Sequence, residues 1–213
     1  MKNWLIVGAS ALVLWAGVVS AAMANERPVA RVVSLTGSAQ LDDLESATRG
    51  TALHEGSVVE TGPDSRLRMR FNGGSLLTLG ENTRFEISRY EPATDSSEQV
   101  AYFRVLSGVI LAIADGVTPG SDSYVIETPA ATIGIRGTIV WGGYFIPGQA
   151  DYVLLEGGPV TVSNASGEVL LTDVGQGTTV LVDDAGRDET APYDPVFWDG
   201  TKVFDAVTTI AFP

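Results

Sequence analysis

Hydrophobic and polar positions alternate with a period of two along much of this chain. The clearest run is Arg66–Phe71, where Arg66, Arg68 and Arg70 fall on one face and Leu67, Met69 and Phe71 on the other. That alternation predicts a half-buried strand whose arginines form either a solvated face or a local patch for an acidic ligand. Short apolar runs of the same kind recur at Val29–Leu35, Val58–Thr61, Arg84–Tyr90, Val100–Leu106, Val109–Ala114, Tyr124–Thr128, Ala131–Ile135, Thr138–Phe145, Tyr152–Leu155, Val160–Ser163, Val169–Thr172 and Thr178–Val182. Between them stand turn sequences such as Thr36-Gly37, Gly62-Pro63-Asp64-Ser65, Asn72-Gly73-Gly74 and Gly80-Glu81-Asn82. Many short strands separated by turn residues predict an all-β body. The repeated unit of strand, glycine corner and strand favours a β-solenoid-like arrangement, with an irregular β-sandwich as the alternative. The polar stretches 91–99 and 115–123 read as surface loops.

The pattern changes at Arg187. Pro192 and Pro195 make the next residues poor helix or strand formers. Beyond them Phe197, Trp198, Val203, Phe204, Val207 and Ile210 recur at roughly helical spacing. Residues 187–213 are therefore expected to form a short C-terminal tail packed on the body and covering a strand edge. Phe197, Trp198 and Phe204 are the alternative's candidates for docking a partner, because aromatic side chains dominate interface hot spots.

At the other end, Met1-Lys2-Asn3 precedes an uncharged apolar run from Trp4 to Ala24 that closes on Ala22-Met23-Ala24. A basic start, an apolar centre and small residues at the cleavage positions predict a secretory signal peptide over 1–24. An uncleaved anchor is the alternative. The body then spans 25–186, and cleavage leaves no segment for stable membrane insertion. The sequence holds 13 basic against 26 acidic residues, a formal net charge of −13, and loss of Lys2 with the leader makes it one unit more negative. Such a surface repels phosphate backbones and anionic lipid, which argues against nucleic-acid binding and in favour of solubility or a basic partner. No cysteine is present, so neither disulfides nor thiolate chemistry support this exported chain.

Chemistry-bearing constellations are sparse. His54 is the only histidine, and no Gly-x-Ser-x-Gly elbow accompanies it. One histidine and no cysteine leave zinc and copper without a ligand set. Asp183, Asp184 and Asp188 fit no EF-hand spacing and read as an acidic turn. The glycine-rich runs lack the lysine of a phosphate loop. These residues point to no catalytic site, no metal and no cofactor.

The most informative stretch is Tyr124–Val140, YVIETPAATIGIRGTIV, in which Thr128-Pro129 and Gly134-Ile135-Arg136-Gly137-Thr138 punctuate two β-rich runs. Arg136 keeps its charge, so a core position requires acceptors or a route to water. Its guanidinium either ties adjacent corners together, through carbonyls or a carboxylate such as Glu127 or Glu156, or forms an anion or partner site. Together with LHEGSVVETGPDSRLRMRFNGGSLLTLGENTRFEI, FRVLSGVILAIA and the closing DYVLLEGGPVTVSN and VLLTDVGQGTTV, this stretch resembles the FecR-like periplasmic domain family over roughly residues 53–182. Asn72-Gly73-Gly74-Ser75 stands where the family has Asp-Gly-Ser. The resemblance implies a β-solenoid-like domain, which in the family's best-known members relays a signal from an outer-membrane transporter to a sigma factor. With only Met1–Asn3 ahead of its apolar run, this chain is expected to be a stand-alone member without the anti-sigma region.

The reading is a non-enzymatic, periplasmic or secreted binding module of a Gram-negative type envelope, engaging an envelope protein or a surface polymer in signalling or assembly. Thr128, Pro129, Gly134, Arg136, Gly137 and Thr138 serve as its structural clasp. The alternatives are an envelope polysaccharide-active protein, whose paired carboxylates would do the chemistry, and a scaffold that stacks on copies of itself through strand edges.

Overall fold

The structure, a computed structural model, describes residues 27–42, 45–94, 97, 99–114, 124–188 and 190–213. The signal peptide expected over 1–24 and the loop expected over 115–123 lie outside the described residues. Among the described residues the strands fall into two nine-stranded sheets. The first holds β1 (Ala30–Thr36), β4 (Ala52–Leu53), β6 (Arg66–Phe71), β7 (Leu76–Leu79), β10 (Val109–Ile113), β13 (Ile139–Gly143), β14 (Gln149–Glu156), β17 (Gln176–Leu181) and β18 (Val196–Phe197). Its spatial order is β18-β17-β14-β13-β10-β7-β6-β1-β4. The second holds β2 (Ala39–Leu41), β3 (Glu45–Ser46), β5 (Val58–Thr61), β8 (Arg84–Glu91), β9 (Val100–Ser107), β11 (Tyr124–Glu127), β12 (Thr132–Ile135), β15 (Val160–Asn164) and β16 (Gly167–Leu171). Here the order is β16-β15-β12-β11-β9-β8-β5-β2-β3.

The two sheets pack face to face, so the architecture is an all-β sandwich and the β-solenoid expectation is corrected. A solenoid stacks parallel strands coil on coil, whereas β9 with β11 is the one parallel pair among the described ladders. The glycine corners carry the chain from one sheet to the other, as they would between the walls of a coil. Hairpins then return it antiparallel: Asn72-Gly73-Gly74 joins β6 to β7 in register Arg70↔Leu76, with Phe71 N donating to Ser75 O at 2.9 Å. Corners also pack against one another. At Gly108 φ is +82°, and a Cβ there would lie 2.5 Å from Thr83 Cα, so only glycine fits that approach.

The inner faces bury the apolar half of each alternating strand. Leu67, Met69 and Phe71 of β6 are buried against Phe85 of β8, Phe103 of β9 and Tyr124 of β11. The Phe71 and Phe103 rings lie 4.8 Å apart and tilted, and Tyr124 meets Phe103 edge-on at 5.4 Å. Each such ring contributes roughly 2–3 kcal/mol by leaving water, which is how a chain without disulfides stabilises this fold.

The tail does two things. Val196–Phe197 adds β18 to the edge of the first sheet, and α1 (Gly200–Thr208) covers part of that sheet's outer face. Asp199 starts the helix by accepting from the backbone of Thr201 and Lys202, both at 2.9 Å, which is why the helix begins after Trp198. Val203, Ala206, Val207 and Ile210 then face Val109, Leu111, Trp141 and Val153 in a second apolar cluster. Trp198 meets Trp141 edge-on at 6.1 Å, and Trp141 Nε1 donates to Thr209 Oγ1 at 3.1 Å. Lys202 Nζ reaches the fully buried Asp151 Oδ1 at 3.0 Å and lies 3.9 Å from the Trp198 ring centre.

Candidate interaction surface

Thr128 and Pro129 make the turn between β11 and β12. Pro129 presets φ in the turn, and Thr128 Oγ1 accepts from Ala131 N at 3.0 Å while lying 2.9 Å from the Tyr152 hydroxyl. Tyr152 belongs to β14, so a turn of the second sheet is fastened to a strand of the first. The fastening sits inside the protein: burial pushes the Tyr152 hydroxyl well above the ordinary tyrosine range, and does the same to Tyr124.

Beyond β12 the corner Arg136-Gly137-Thr138 crosses to β13. A Cβ on Gly157 would meet Gly137 O at 2.6 Å, so two crossovers lie backbone to backbone. Thr138 is buried, and its hydroxyl has no hydrogen-bond partner among the described residues. Arg136 is partly buried. Of the carboxylates considered for it, Glu127 lies 4.0 Å from Arg104 Nε, and Glu156 lines a recess with Gly137, Thr138 and Gly157.

On the outer face of the second sheet, Val125, Thr132, Gly134, Arg136, Thr161, Ser163 and Glu168 line an open trough. Register puts Gly134 between Val125 and Thr161, and the missing side chain lowers the floor there. A Cβ at Gly134 would sit 3.7 Å from Thr161 Cβ, an ordinary contact, so packing does not demand the glycine. The trough ends at β16, which among the described strands is paired on one side only. Beside it Leu170 is 46% exposed, and Phe197 and Phe204 are 67% and 68% exposed. Trp198, grouped with those two phenylalanines in the sequence reading, is instead 9% exposed inside the tail cluster.

The other candidates are structural in their placement. His54 is half-buried at the corner between β4 and β5, where its backbone N–H donates to Ser57 Oγ at 3.0 Å. Asp183 is occupied by Arg187 at 2.7 Å and by the backbone of Ala185, and the guanidinium holds its carboxyl below the ordinary range. Among the described residues no cluster of three or more histidine and acidic side chains is placed to hold a metal ion. Sequence reasoning missed Leu170 and the β16 edge, because the end of a sheet is a property of pairing and leaves no mark on a single strand.

Two large, mostly antiparallel sheets closed over an aromatic core define an all-β sandwich of a kind already seen in crystals. Two crystal structures of a "putative anti-sigma factor" from Parabacteroides distasonis ATCC 8503, at 2.50 and 1.65 Å resolution, match it with a TM-score of 0.51 each. Identities are 12% and 13%, and the match covers 69% of this chain and 62% of that one, so the likeness is one of fold. The chain belongs to the FecR family, whose model, described as FecR protein, matches residues 57–170, more than half of its length. No curated protein matches the chain in sequence. Among the described residues no helix is long and apolar enough to cross a membrane.

Proposed function

We propose that this FecR-family chain is a non-catalytic binding module, exported to the periplasm or beyond, that engages another envelope protein in signalling or assembly. The observation that carries the reading is the trough at Gly134 ending on the open β16 edge, with Leu170 exposed beside it. An extended segment can add to such an edge through its backbone while alternate side chains enter the trough. Membership of a family with anti-sigma-factor-like folds supports a role in relaying signals between proteins. Glu168 is the trough's one carboxylate, whereas glycoside hydrolysis uses a pair, so this surface favours binding over polysaccharide cleavage.

The test is capture from a periplasmic extract by the mature chain, with wild type, Gly134→Val, Leu170→Glu and Phe204→Ser compared side by side. A discrete protein should be retained by wild type and by Phe204→Ser, and lost by the other two. Identical retention by all four, or retention of glycan alone, would remove the basis for this surface. Cell fractionation with N-terminal sequencing checks the export arm, the expected mature start being Asn25.

A further inference from the structure

The outer face of the first sheet divides sharply. The C-terminal segment covers its apolar half, over Leu111, Trp141 and Val153, and Phe212 sits with its ring 5.0 Å from Arg68 Cζ at the boundary. Past that boundary the face is arginine: Arg66, Arg68 and Arg70 on β6, with Arg31 of β1 directly opposite Arg70. The chain has two acidic residues for every basic one, yet none of these four cations makes an ion pair among the described residues. On the second sheet the arrangement is the reverse, with Arg84 paired to Glu60 and Arg104 to Glu86. Asp64 and Glu81 close the corner beyond Arg66, where Glu81 is taken by the backbone of Asp64 at 2.9 Å.

Like charges directly opposite each other destabilise a sheet, so the Arg31–Arg70 juxtaposition opposes folding and nothing described in the chain offsets it. Three of the four guanidiniums are nevertheless held in place by neutral acceptors. Arg68 Nε donates to Thr78 Oγ1 at 3.0 Å, Arg66 Nη1 to Ser65 O at 2.8 Å and Arg31 Nη1 to Gly50 O at 3.3 Å. Arg66 Nε is buried with no hydrogen-bond partner among the described residues. Cations spaced along a strand, most of them held in position and none ion-paired among the described residues, match a multivalent anion.

We propose that this arginine face is a second binding surface, distinct from the trough, and that its occupant is an acidic segment of a partner protein in extended conformation. Alternate residues on a strand lie about 6.8 Å apart, so a peptide with carboxylates at alternate positions presents them at the spacing of Arg66, Arg68 and Arg70. Each carboxylate fits the two-pronged guanidinium fork. Two surfaces on opposite outer faces make the module a bridge between partners.

The experiment titrates the mature chain with three probes: a peptide alternating Glu and Thr, a peptide of the same composition with its glutamates in one block, and an oligouronate of equal charge. The alternating peptide should bind best and weaken steeply with salt. The Arg31→Gln/Arg70→Gln variant should bind it at least tenfold more weakly and melt at a higher temperature than wild type, because the opposed charges are gone. Gly134→Val should bind it unchanged, which separates this surface from the trough. The proposal is overturned if the alternating peptide fails to bind, if the block peptide or the oligouronate binds as well, if the arginine variant keeps full affinity, or if Gly134→Val abolishes binding.

Discussion

Replacing Lys202 with Met should loosen the C-terminal helix at a cost that follows from its ion pair with Asp151. Asp151 is 0% exposed, and its carboxylate takes Gln149 Nε2 and Thr179 Oγ1, both at 2.6 Å, besides Lys202 Nζ at 3.0 Å. Removing one member of a fully buried pair costs about 3–5 kcal/mol, because the remaining charge is left uncompensated. The lysine end is 29% exposed and two neutral donors remain on the carboxylate, so the expected loss is lower, about 2–3 kcal/mol. Loss of the cation over Trp198 is part of this, worth roughly 0.5–1 kcal/mol at a site of this exposure. For a chain of this size that corresponds to a fall in melting temperature of about 5–10 °C. Urea denaturation measures the loss, and amide exchange should show α1 opening before the sheets. Asp151→Asn added to Lys202→Met should restore at least half of it, since no buried charge is then unpaired. The reasoning fails if Lys202→Met lies within about 0.5 kcal/mol of wild type, or if the double variant loses the sum of the two single ones.

Gly108→Ala combines a positive φ with a Cβ 2.5 Å from Thr83 Cα and should cost about 3 kcal/mol or more, read from chemical denaturation. Thr138→Val replaces a buried hydroxyl that has no partner among the described residues and should raise stability by about 1 kcal/mol; a loss instead would show that the hydroxyl is satisfied in solution. Trp198→Ala should cost about 3–5 kcal/mol, as expected for a buried indole. Burial pushes the Tyr144 hydroxyl up to about 12, with Tyr90, Tyr124 and Tyr152 also raised. The unfolded chain releases these protons first, so their stabilising contribution is complete below pH ~10 and declines as pH rises toward 12 and beyond. Absorbance at 295 nm should show Tyr124, Tyr144 and Tyr152 ionising only as circular dichroism reports unfolding.

Much of the strand set was legible because burial on one face imposes a period of two. Leu67, Met69 and Phe71 are core and Arg66, Arg68 and Arg70 face outward, as their alternation requires. The glycine corners were legible as corners for a local reason: positive φ and close approach restrict the residue type wherever the chain turns. Their destination was not legible. A corner such as Ser107-Gly108 moves the chain to another sheet whether that sheet is the wall of a coil or half of a sandwich, and so the solenoid and the sandwich share one local pattern. The trough was half visible: Gly134 stood out, but its neighbours Thr161 and Glu168 come from a hairpin that only pairing brings beside it.

By itself the sequence determined an all-β chain of the FecR type, acidic and without cysteines, with an arginine face on one strand and an aromatic tail. The family type rests on the resemblance of its motifs; the rest are properties of residue type and local period, and no distant contact is needed to read them. Tertiary structure decided that the strands pair antiparallel in two sheets, that the tail shields only the apolar half of one outer face, and that Arg31 lies against Arg70 across 39 residues of chain. Each of those depends on which segments meet after the chain has closed its loops, and the free energy of those meetings comes from shared burial and shared charge, which no single segment carries alone.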